Sequence, residues 1–497
     1  MSTLPHLHGP EQAFFTQAAR DIFASALAEC TVERAFARRV VVEGTELRFD
    51  EEVFDVASYD RVRILAVGKA ASPMLIALLE RLPLRAGCDV AGVLATPQAP
   101  AALPPGFRHF ASGHPLPNQG SFLAAQAALE MLAALPRDAE SVARTLCIFL
   151  ISGGASAMME APLDATISLA DTAGFHRALV QSGASIVEIN CVRKHFSAVK
   201  GGRLALAAPQ GATRLAFLVS DVPRLHLAEL GSGPALPDPT TVEQCRAVLE
   251  QYALLEQFSV SVQRFFAQAH LPETPKPGAF PMAICKLLDS DDLITAAQTH
   301  AKALGFRVAV DNTCDDWEYM AAARYLLERL REQRQWVDVE QAGAEQARAD
   351  PVEERPVCLL SAGEVTVRVQ SPSGTGGRNQ QFALYAATQI KPEDAPLAVL
   401  SAGSDGIDGN SPAAGAVVDA ETLLRAAQLG LDAEAALAGF DAGTFFHVLG
   451  DAVQTGPTGN NLRDLRILLA SKLQAPPPEG KASVRKSLSR KRKSARK

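Results

Sequence analysis

The feature that most constrains the fold is a series of short, continuously apolar runs that recur along the chain with helix-length segments between them. Four of these runs lie at Arg61–Val67, Asp89–Ala95, Thr145–Ile151 and Arg214–Val219. A strand that is apolar throughout, rather than at every second residue, is typical of a parallel sheet covered by helices on both faces. The sequence therefore predicts an α/β protein with a Rossmann-like parallel sheet.

The alternation of strands and helices breaks at a charged stretch, Arg331–Arg355. Before this stretch, we predict a larger α/β domain at residues 11–330. After it, strand-like runs resume at Val357–Val369 and Leu397–Ser401, which predicts a smaller α/β domain at residues 356–470. A chain of 497 residues is long enough for two such domains.

Charge is distributed unevenly between these domains and the C-terminus. Residues 481–497 contain nine Lys or Arg and no acid, so we predict a basic, disordered tail at 475–497. All 55 acidic residues lie before this basic segment, together with the remaining 39 of the 48 basic ones. An acidic body of this kind does not indicate a specific nucleic-acid partner.

Cysteine usage and hydropathy indicate the compartment. The eight cysteines form no CxxC pair, and Cys147 and Cys358 lie in apolar runs typical of buried strands. Such usage is typical of a reduced compartment, so we predict a cytoplasmic protein. We also predict that it is a monomer or a homodimer. We see no secretory leader and no apolar run near the ~20 residues that a bilayer span needs, so no membrane partner is expected.

Glycine-rich segments mark the candidate site. They are Ser152–Ser156, Gly231–Pro234, Gly374–Asn379 and Gly403–Gly406. Ligands of open parallel sheets bind beyond the carboxyl ends of the strands, and glycine lets backbone N–H groups approach an anion closely. Any one of these segments could equally be a tight turn, but four together favour a site for phosphate or carboxylate groups.

The familiar nucleotide and hydrolase motifs are absent from the sequence. Gly68-Lys69 resembles the end of a P-loop, but Arg63 stands where the first glycine belongs and Ala70 where Ser or Thr belongs. No GxGxxG follows a strand, and neither HExxH nor GxSxG occurs. P-loop NTPases, dinucleotide enzymes, zinc proteases and α/β-hydrolases are therefore all disfavoured.

Charged residues beside the apolar strands and glycine segments are the remaining candidates. Lys69 directly follows a strand and is either a phosphate contact or a surface lysine. Asp221 follows another strand, where a carboxylate can bind Mg²⁺, accept a proton or cap a helix. Arg378 could bind an anion with two nitrogens. Asp405 and Asp408 are either metal ligands or turn residues.

His114 is more typical of a structural turn than of an acid or base. From the residues alone, we predict only an α/β enzyme for small anionic substrates, with phosphoryl transfer as one candidate reaction.

Several longer segments, read together, are more specific. They include AVGKAA (66–71), INCVRKHFSAVKGGRLA (189–205), VSDV (219–222), GTGGRNQQFAL (374–384) and SAGSDGIDGNSPAAGAVVD (401–419). This set resembles the glycerate 2-kinase family, whose C-terminal part is called the MOFRL domain and some of whose members are named hydroxypyruvate reductase. The resemblance covers about residues 11–470.

The resemblance implies phosphorylation of D-glycerate to 2-phosphoglycerate with ATP and Mg²⁺, in a cleft between the two domains. It implies catalytic roles for Lys69, Asp221 and Arg378. The residues that it implies in nucleotide or substrate binding are Ser152, Gly153, Gly154, Ser156, Arg193, Lys200 and Asn379. Asp405 and Asp408 are the implied metal ligands.

The chain departs from the family pattern at Ala155, Asn118 and Pro223–His226, where the family usually has Gly, Asp and a segment beginning Gly-Asp. The segment Pro223–His226 lies beside Asp221, so this departure concerns the identity of the acceptor substrate more than that of the phosphate donor. An NAD(P)H-dependent hydroxypyruvate reductase is the first alternative, disfavoured because no dinucleotide fingerprint is present. A kinase for another small hydroxy acid and a binding protein without turnover are the others.

Overall fold

The structure is a computed structural model that accounts for most of the chain. The residues that it describes are 10–222, 224–335, 355–369 and 374–472. The predicted basic tail at 475–497 lies outside the described residues, as does most of the charged stretch at 331–355.

The elements are numbered in chain order. The strands are β1 Val41–Glu43, β2 Glu46–Phe49, β3 Glu52–Asp55, β4 Arg61–Val67, β5 Asp89–Thr96, β6 Phe107–Ala111, β7 Thr145–Ser152, β8 Thr213–Val219, β9 Ala283–Leu288, β10 Arg307–Val310, β11 Val357–Ala362, β12 Leu397–Gly403, β13 Gly415–Asp419, β14 Ala452–Val453 and β15 Asp464–Ala470. The α-helices are α1 Pro10–Glu29, α2 Val32–Arg39, α3 Ala71–Leu79, α4 Gln119–Ala133, α5 Ala139–Ala143, α6 Ala155–Met158, α7 Leu169–Gln181, α8 Ile186–Phe196, α9 Arg203–Leu206, α10 Val242–Gln251, α11 Val260–Phe266, α12 Ser290–Ala303, α13 Tyr319–Gln335, α14 Arg378–Gln389, α15 Thr422–Gln428, α16 Ala433–Ala438 and α17 Ala442–Leu449.

The first large sheet has the strand order β6-β5-β4-β7-β8-β9, and each neighbouring pair is parallel. The predicted parallel α/β sheet is confirmed. β4, β7 and β8 are neighbours, so the loops that follow them emerge side by side at one edge of the sheet. This edge is where the first domain presents its polar residues.

The second sheet has the order β10-β11-β15-β12-β13-β14 and is mostly antiparallel. Its first strand differs from the predicted domain boundary. Arg307–Val310 pairs in parallel register with Val357–Leu360, and α13 packs on α14. Residues 307–330, which the sequence analysis placed in the first domain, therefore belong with the second sheet together with 331–335, because they supply its edge strand and a covering helix.

The two sheets share one hydrophobic core, to which Ile64 of β4, Leu400 of β12 and Ile467 of β15 all contribute. Helix α1 packs against β12 and α12, so the N-terminal segment lies on the second sheet. The Gln12 side chain fixes it there, donating to the Leu397 carbonyl at 2.7 Å and accepting from the Leu397 N–H at 3.1 Å. This shared packing holds the two sets of strand ends against each other.

Two smaller units complete the fold. Strands β1–β3 form an antiparallel meander, and α7, α8, α10 and α11 pack around their own core, which includes Phe175 and Phe196. No described helix combines the length and apolar character that a membrane crossing requires. All eight cysteines lie in described segments and are free.

Candidate active site

Three loops of the first sheet converge at its carboxyl edge. The Lys69 N–H donates to the Gly153 carbonyl at 2.9 Å, which ties the loop after β4 to the loop after β7. The Ser152 hydroxyl accepts from the Ala70 N–H at 2.9 Å, at the start of α3. Both bonds hold the loop after β4 against the loop after β7. Ser152 therefore has a structural role, in positioning these two loops.

The loop after β7 requires glycine at two positions. A Cβ on Gly153 would lie 2.1 Å from the Asp221 Oδ2 atom, so the Asp221 carboxylate contacts this backbone directly. Gly154 has a φ of 85°, and a Cβ there would lie 3.0 Å from the His114 ring. The structure thus brings Lys69, Gly153 and Asp221 together, as the sequence predicted, with His114 beside them.

Asp221 has an environment suited to a proton acceptor. Burial raises the pKa of its carboxyl, while its own backbone N–H and the charges of Lys69 and Arg463 oppose that rise. Asn461 donates its side-chain amide to Asp221 at 3.5 Å, the outer limit of a hydrogen bond. A carboxylate with few strong donors and a raised pKa accepts a proton more readily than an exposed aspartate.

The second domain reaches this edge through Asp405, which follows β12. The Lys69 Nζ atom lies 3.3 Å from the Asp405 Oδ2 atom, and both side chains remain partly exposed. Burial and the charge of Lys69 lower the pKa of His114. The site therefore combines one partly exposed cation, two carboxylates and an imidazole with a lowered pKa, where the loops of the two sheets meet.

Arg378, at the start of α14, is held by two carboxylates of the second sheet. Its Nε donates to Asp464 at 2.6 Å and its Nη1 to Glu364 at 2.8 Å. Although burial disfavours the charged guanidinium, the two acids raise its pKa above the ordinary value. Sequence reasoning did not single out either acid, because nothing in a single sequence shows that Glu364 and Asp464 lie beside Arg378.

Arg378→Met should lower the free energy of unfolding by about 3 kcal/mol, because it leaves the buried Asp464 and the half-buried Glu364 without their shared cation. Urea denaturation monitored by circular dichroism measures this. Arg264→Met, which removes an exposed arginine from α11, is the control and should cost less than 1 kcal/mol. Equal stability of the two variants would contradict a structural role for the Arg378 pairs.

Asp408 has a different role from the predicted metal ligand. Its Oδ1 accepts the Asn379 N–H at 3.0 Å and its Oδ2 accepts the Gln380 N–H at 2.8 Å, so it caps the N-terminus of α14. Burial raises its pKa to about 7. Asn379 is also buried and accepts from the Ser401 hydroxyl at 2.6 Å. Both residues fix the helix that begins with Arg378.

Within the described ranges, no group of three or more His, Cys, Asp or Glu side chains is arranged to hold a metal ion. Asp405 differs from Asp408 because its carboxylate is partly exposed and lies at the seam between the sheets. A single carboxylate together with substrate phosphates is a common way of binding Mg²⁺. Asp405 therefore fits a magnesium ion that arrives with a phosphorylated substrate.

Ser156 and Arg193 belong to one chain of polar contacts beside this edge. The Ser156 and Ser232 hydroxyls lie 2.8 Å apart, and Ser232 donates to the Asn190 Oδ1 atom at 2.9 Å. Arg193 reaches the same Asn190 oxygen at 3.4 Å. Ser232 and Asn190 were not singled out from the sequence, since neither residue type is diagnostic without its neighbours.

Lys200, which the resemblance implies in nucleotide or substrate binding, is paired with an acid inside the protein. It is buried, and its Nζ atom lies 2.6 Å from the Glu160 Oε2 atom. The same Glu160 oxygen lies 2.8 Å from the His176 Nε2 atom. Although burial favours the neutral acid, Lys200 and His176 lower the pKa of Glu160 to about 2. Lys200 thus belongs to a fully buried ionic network.

The same network predicts a pH dependence of stability. Burial lowers the pKa of His176 from 6.5 to about 4, so between these values the unfolded chain binds a proton that the folded protein does not. The contribution of His176 to the free energy of unfolding is therefore largest above about pH 6.5. It decreases as the pH falls towards 4, by about 3 kcal/mol in all.

Urea denaturation of His176→Gln at pH 7 and pH 4.5 should show a weaker pH dependence than the wild type. His270→Gln, at an exposed histidine, should keep the wild-type dependence. If His176→Gln and the wild type lose the same free energy on acidification, His176 already takes up its proton in the folded state.

A cavity of about 130 Å³ lies between the turn after α1 and the loops of the second sheet, and Ser404, the residue before Asp405, is part of its lining. Leu27, Pro73, Thr458 and Asn460 are among the residues that line it. A cavity of roughly 150 Å³ holds one benzene ring. This cavity is therefore of the right order for one ring of a planar ligand.

Two family models match the chain. The domain of unknown function DUF4147 matches residues 18–267, and the MOFRL family matches residues 357–464. The first match spans the parallel sheet up to β8 together with the helical unit. The second spans most of the second sheet.

Individual relatives match over most of the chain. A D-glycerate 2-kinase from Thermotoga maritima is 34% identical over 418 residues, covering 84% of this chain and 92% of the relative. A protein from Agrobacterium vitis that carries a hydroxypyruvate reductase name is 32% identical, covering 82% and 87%. A crystal structure of glycerate kinase from Thermotoga maritima superposes with a TM-score of 0.70 and 30% identity, covering 92% of this chain and all of that one.

Proposed function

Because this chain belongs to the glycerate 2-kinase family, we propose that it transfers the γ-phosphoryl group of ATP to the 2-hydroxyl of D-glycerate, giving 2-phosphoglycerate. The observation that carries this proposal is the meeting of Lys69, after β4, and Asp221, after β8, on either side of the Gly153 loop that follows β7, with Asp405 of the second domain beside Lys69. A cation and a proton acceptor in one cleft are what phosphorylation of a hydroxyl requires.

Asp221 is the group that accepts the proton of the acceptor hydroxyl. Burial and the contact with Gly153 orient its carboxylate, and its raised pKa favours proton uptake. Lys69 neutralises charge on the transferring phosphoryl group. Since the transition state of phosphoryl transfer is loose, positioning and electrostatic stabilisation supply most of the rate.

Arg378 is the second cation in this proposal. Its bonds to Asp464 and Glu364 fix the guanidinium at the start of α14, so little reorganisation is needed when substrate binds. Asn379 and the Asp408 cap hold the same helix end in place.

Asp405 is the residue that would hold Mg²⁺. When bound, the ion neutralises phosphate charge and orients the donor. The Lys69 Nζ atom lies 3.3 Å from the Asp405 Oδ2 atom and contributes a positive charge at the same place. Asp408 is assigned to holding the start of α14, because each of its oxygens accepts a backbone N–H there.

The nucleotide phosphates are assigned to the loop that contains Ser152, Gly153 and Gly154. Backbone N–H groups of such a glycine-rich loop can approach phosphate oxygens closely. The cavity lined by Pro73 and Ser404 is of the right order for one ring of the base. We further propose that the protein is cytoplasmic, which its eight free cysteines support. In this proposal it acts on small molecules as a monomer or a homodimer.

A parallel assay separates this proposal from the reductase alternative. One tube contains ATP, Mg²⁺ and D-glycerate, and the other contains NADH and hydroxypyruvate. We expect ADP and phosphoglycerate in the first and no NADH oxidation in the second. NADH oxidation without phosphoglycerate would replace the kinase by a reductase, whereas silence in both tubes would indicate a different acceptor, with 223–226 as the segment to alter.

A further inference from the structure

Arg463, the residue before β15, has an uncommon backbone conformation. Its φ is 71°, in the left-handed region that residues other than glycine seldom adopt. Such a conformation persists only where the surrounding structure determines it, and it occurs most often at functional sites. Arg463 lies in the loop that brings Asn461 to Asp221, so its contacts show what this conformation holds in place.

The side chain of Arg463 is fixed by one aspartate. Its Nη1 and Nη2 atoms donate to the Asp315 Oδ2 and Oδ1 atoms, each at 2.6 Å. Two bonds to one carboxylate fix the direction of a guanidinium as well as its distance. Asp315 is held in turn, because its Oδ1 atom accepts the Glu364 N–H at 3.0 Å. Although burial disfavours the charged form, Asp315 raises the pKa of Arg463, which therefore remains a cation.

The backbone N–H of Arg463 orients the side chain that contacts the proposed proton acceptor. It donates to the Asn461 Oδ1 atom at 3.0 Å, and the amide nitrogen of Asn461 lies 3.5 Å from the Asp221 Oδ2 atom. Among the described residues, Asn461 is the only side chain that bonds to this carboxylate. The Gly153 backbone lies against the same oxygen. Asn461 and Gly153 therefore hold one side of Asp221 from the two domains.

The backbone carbonyl of Arg463 determines the position of the second carboxylate of the site. It accepts the Ser404 N–H at 2.9 Å, and Ser404 directly precedes Asp405. The Ser404 hydroxyl also accepts the Leu462 N–H at 2.6 Å. These two bonds hold the turn after β12 against residues 462 and 463. The position of Asp405 therefore depends on the backbone of Arg463.

The loop that contains Arg463 has a second, independent anchor. The Asn460 Nδ2 atom donates to the Cys30 carbonyl at 2.8 Å, in the turn between α1 and α2. The loop therefore stays attached when the side chain of Arg463 is replaced. A replacement at this position is expected to act on the orientation of the neighbouring groups rather than on the whole fold.

We propose that Arg463 is a positioning residue that holds the Asp221 and Asp405 carboxylates at a fixed distance from each other across the two domains. It acts on Asp221 through Asn461. It acts on Asp405 through Ser404. The inference rests on the proposed function, in which Asp221 accepts the proton and Asp405 holds the ion, and it adds that the second domain orients the proton acceptor of the first.

Arg463→Met should lower kcat on the order of 100-fold, because a displacement of about 1 Å of a catalytic group has an effect of this size. It should also raise the KM for ATP in the presence of Mg²⁺, since Asp405 moves with Ser404. Asn461→Ala removes only the bond to Asp221, so it should lower kcat on the order of 10-fold and leave the KM for ATP unchanged. The KM for D-glycerate should stay within about twofold in both variants.

The pH profile of kcat separates positioning from a simple loss of folded protein. Burial raises the pKa of Asp221 and the charge of Asp405 adds to this rise, whereas the charges of Lys69 and Arg463 oppose it. Arg463→Met should therefore move the acidic limb of the profile to higher pH. Arg463→Lys keeps the charge and one bond to Asp315, so it should restore the limb and most of kcat.

Arg425→Met is the matched control. Arg425, on α15 of the same domain, also forms two bonds to one aspartate, with Nη1 at 3.0 Å and Nη2 at 2.8 Å from the Asp451 oxygens. Its hydrogen bonds in the described structure go to Asp419, Thr422 and Asp451, not to either carboxylate of the site. Arg425→Met should lose stability but keep the wild-type kcat and acidic limb.

A wild-type kcat and acidic limb in folded Arg463→Met would overturn the proposal, and so would an equal loss of kcat in Arg425→Met. If Arg463→Met does not fold, an unchanged kcat in Asn461→Ala overturns it instead. A crystal structure of Arg463→Met gives a readout that is independent of activity, since the Asn461 amide should leave Asp221. If Asn461 leaves Asp221 but the wild type transfers no phosphate, the positioning role stands and the kinase proposal fails. An unmoved Asn461 removes the positioning role, whatever the reaction.

Discussion

Asp221→Asn is expected to lower kcat for glycerate phosphorylation by about 10²–10⁴-fold, which is the usual contribution of a general base. Asparagine keeps the size of the side chain and its contact with Gly153 but cannot accept the proton. The KM for ATP should change little, since Asp221 acts on the acceptor. Steady-state kinetics with both substrates varied measures this effect.

The pH profile gives an independent readout. Because burial raises the pKa of Asp221, the wild-type rate should fall on acidification at a pH above the ordinary aspartate value of 3.8. Asp221→Asn should lack this acidic limb. Asp21→Asn, at an exposed aspartate of α1, should retain both rate and limb. A variant at Asp221 with wild-type rate would remove this residue from the mechanism.

Lys69→Ala is expected to lower kcat by about 10³-fold, because it removes the cation that neutralises the transferring phosphoryl group. Lys69 is a third exposed and pairs only with the partly exposed Asp405 in the described structure, so the free energy of unfolding should change by less than 1 kcal/mol. Loss of activity without loss of stability is therefore the expected signature.

Lys302→Ala, at an exposed lysine of α12, is the control for removal of a positive charge. It should leave both kcat and stability unchanged. If Lys69→Ala were as active as this control, phosphate neutralisation would have to come from elsewhere in the cleft. If Lys69→Ala instead unfolded, the Lys69–Asp405 pair would be a structural tie between the domains.

Much of the first sheet was predictable because its strands are continuously apolar. The predicted runs at Arg61–Val67 and Asp89–Ala95 agree with β4 and β5 to within one residue. The same property made it impossible to predict whether the strands of the second sheet are parallel or antiparallel. A strand buried on both faces looks alike whether its neighbours are parallel or antiparallel, so nothing in Leu397–Ser401 indicated that β12 pairs antiparallel with β13 and β15.

The domain boundary was harder to predict than the strands. Arg307–Val310 is only four residues long, and its partner, Val357–Leu360, lies across the charged stretch from which the boundary was inferred. A pairing between distant segments leaves no local signal in a single sequence. For the same reason, the contact between Gln12 and Leu397 could not be predicted.

Candidate site residues were predictable where the chemistry follows directly from a strand end. Lys69 and Asp221 meet Gly153 in this way. The position of Asp408 could not be predicted, because an aspartate in a glycine-rich loop can equally bind a metal or cap a helix. Only the fold places it at the start of α14. Lys200 shows the same limit, since its pairing with Glu160 is made by tertiary structure.

The most direct test of the central claim is to identify the product by ³¹P and ¹H NMR after incubation of the purified protein with ATP, Mg²⁺ and D-glycerate. We predict a single phosphoester at the 2-position, formed by the wild type and lost in Lys69→Ala. Phosphate at the 3-position would contradict the assigned orientation of the acceptor. No phosphoester at all, with glycerate unchanged, would contradict the proposed reaction itself.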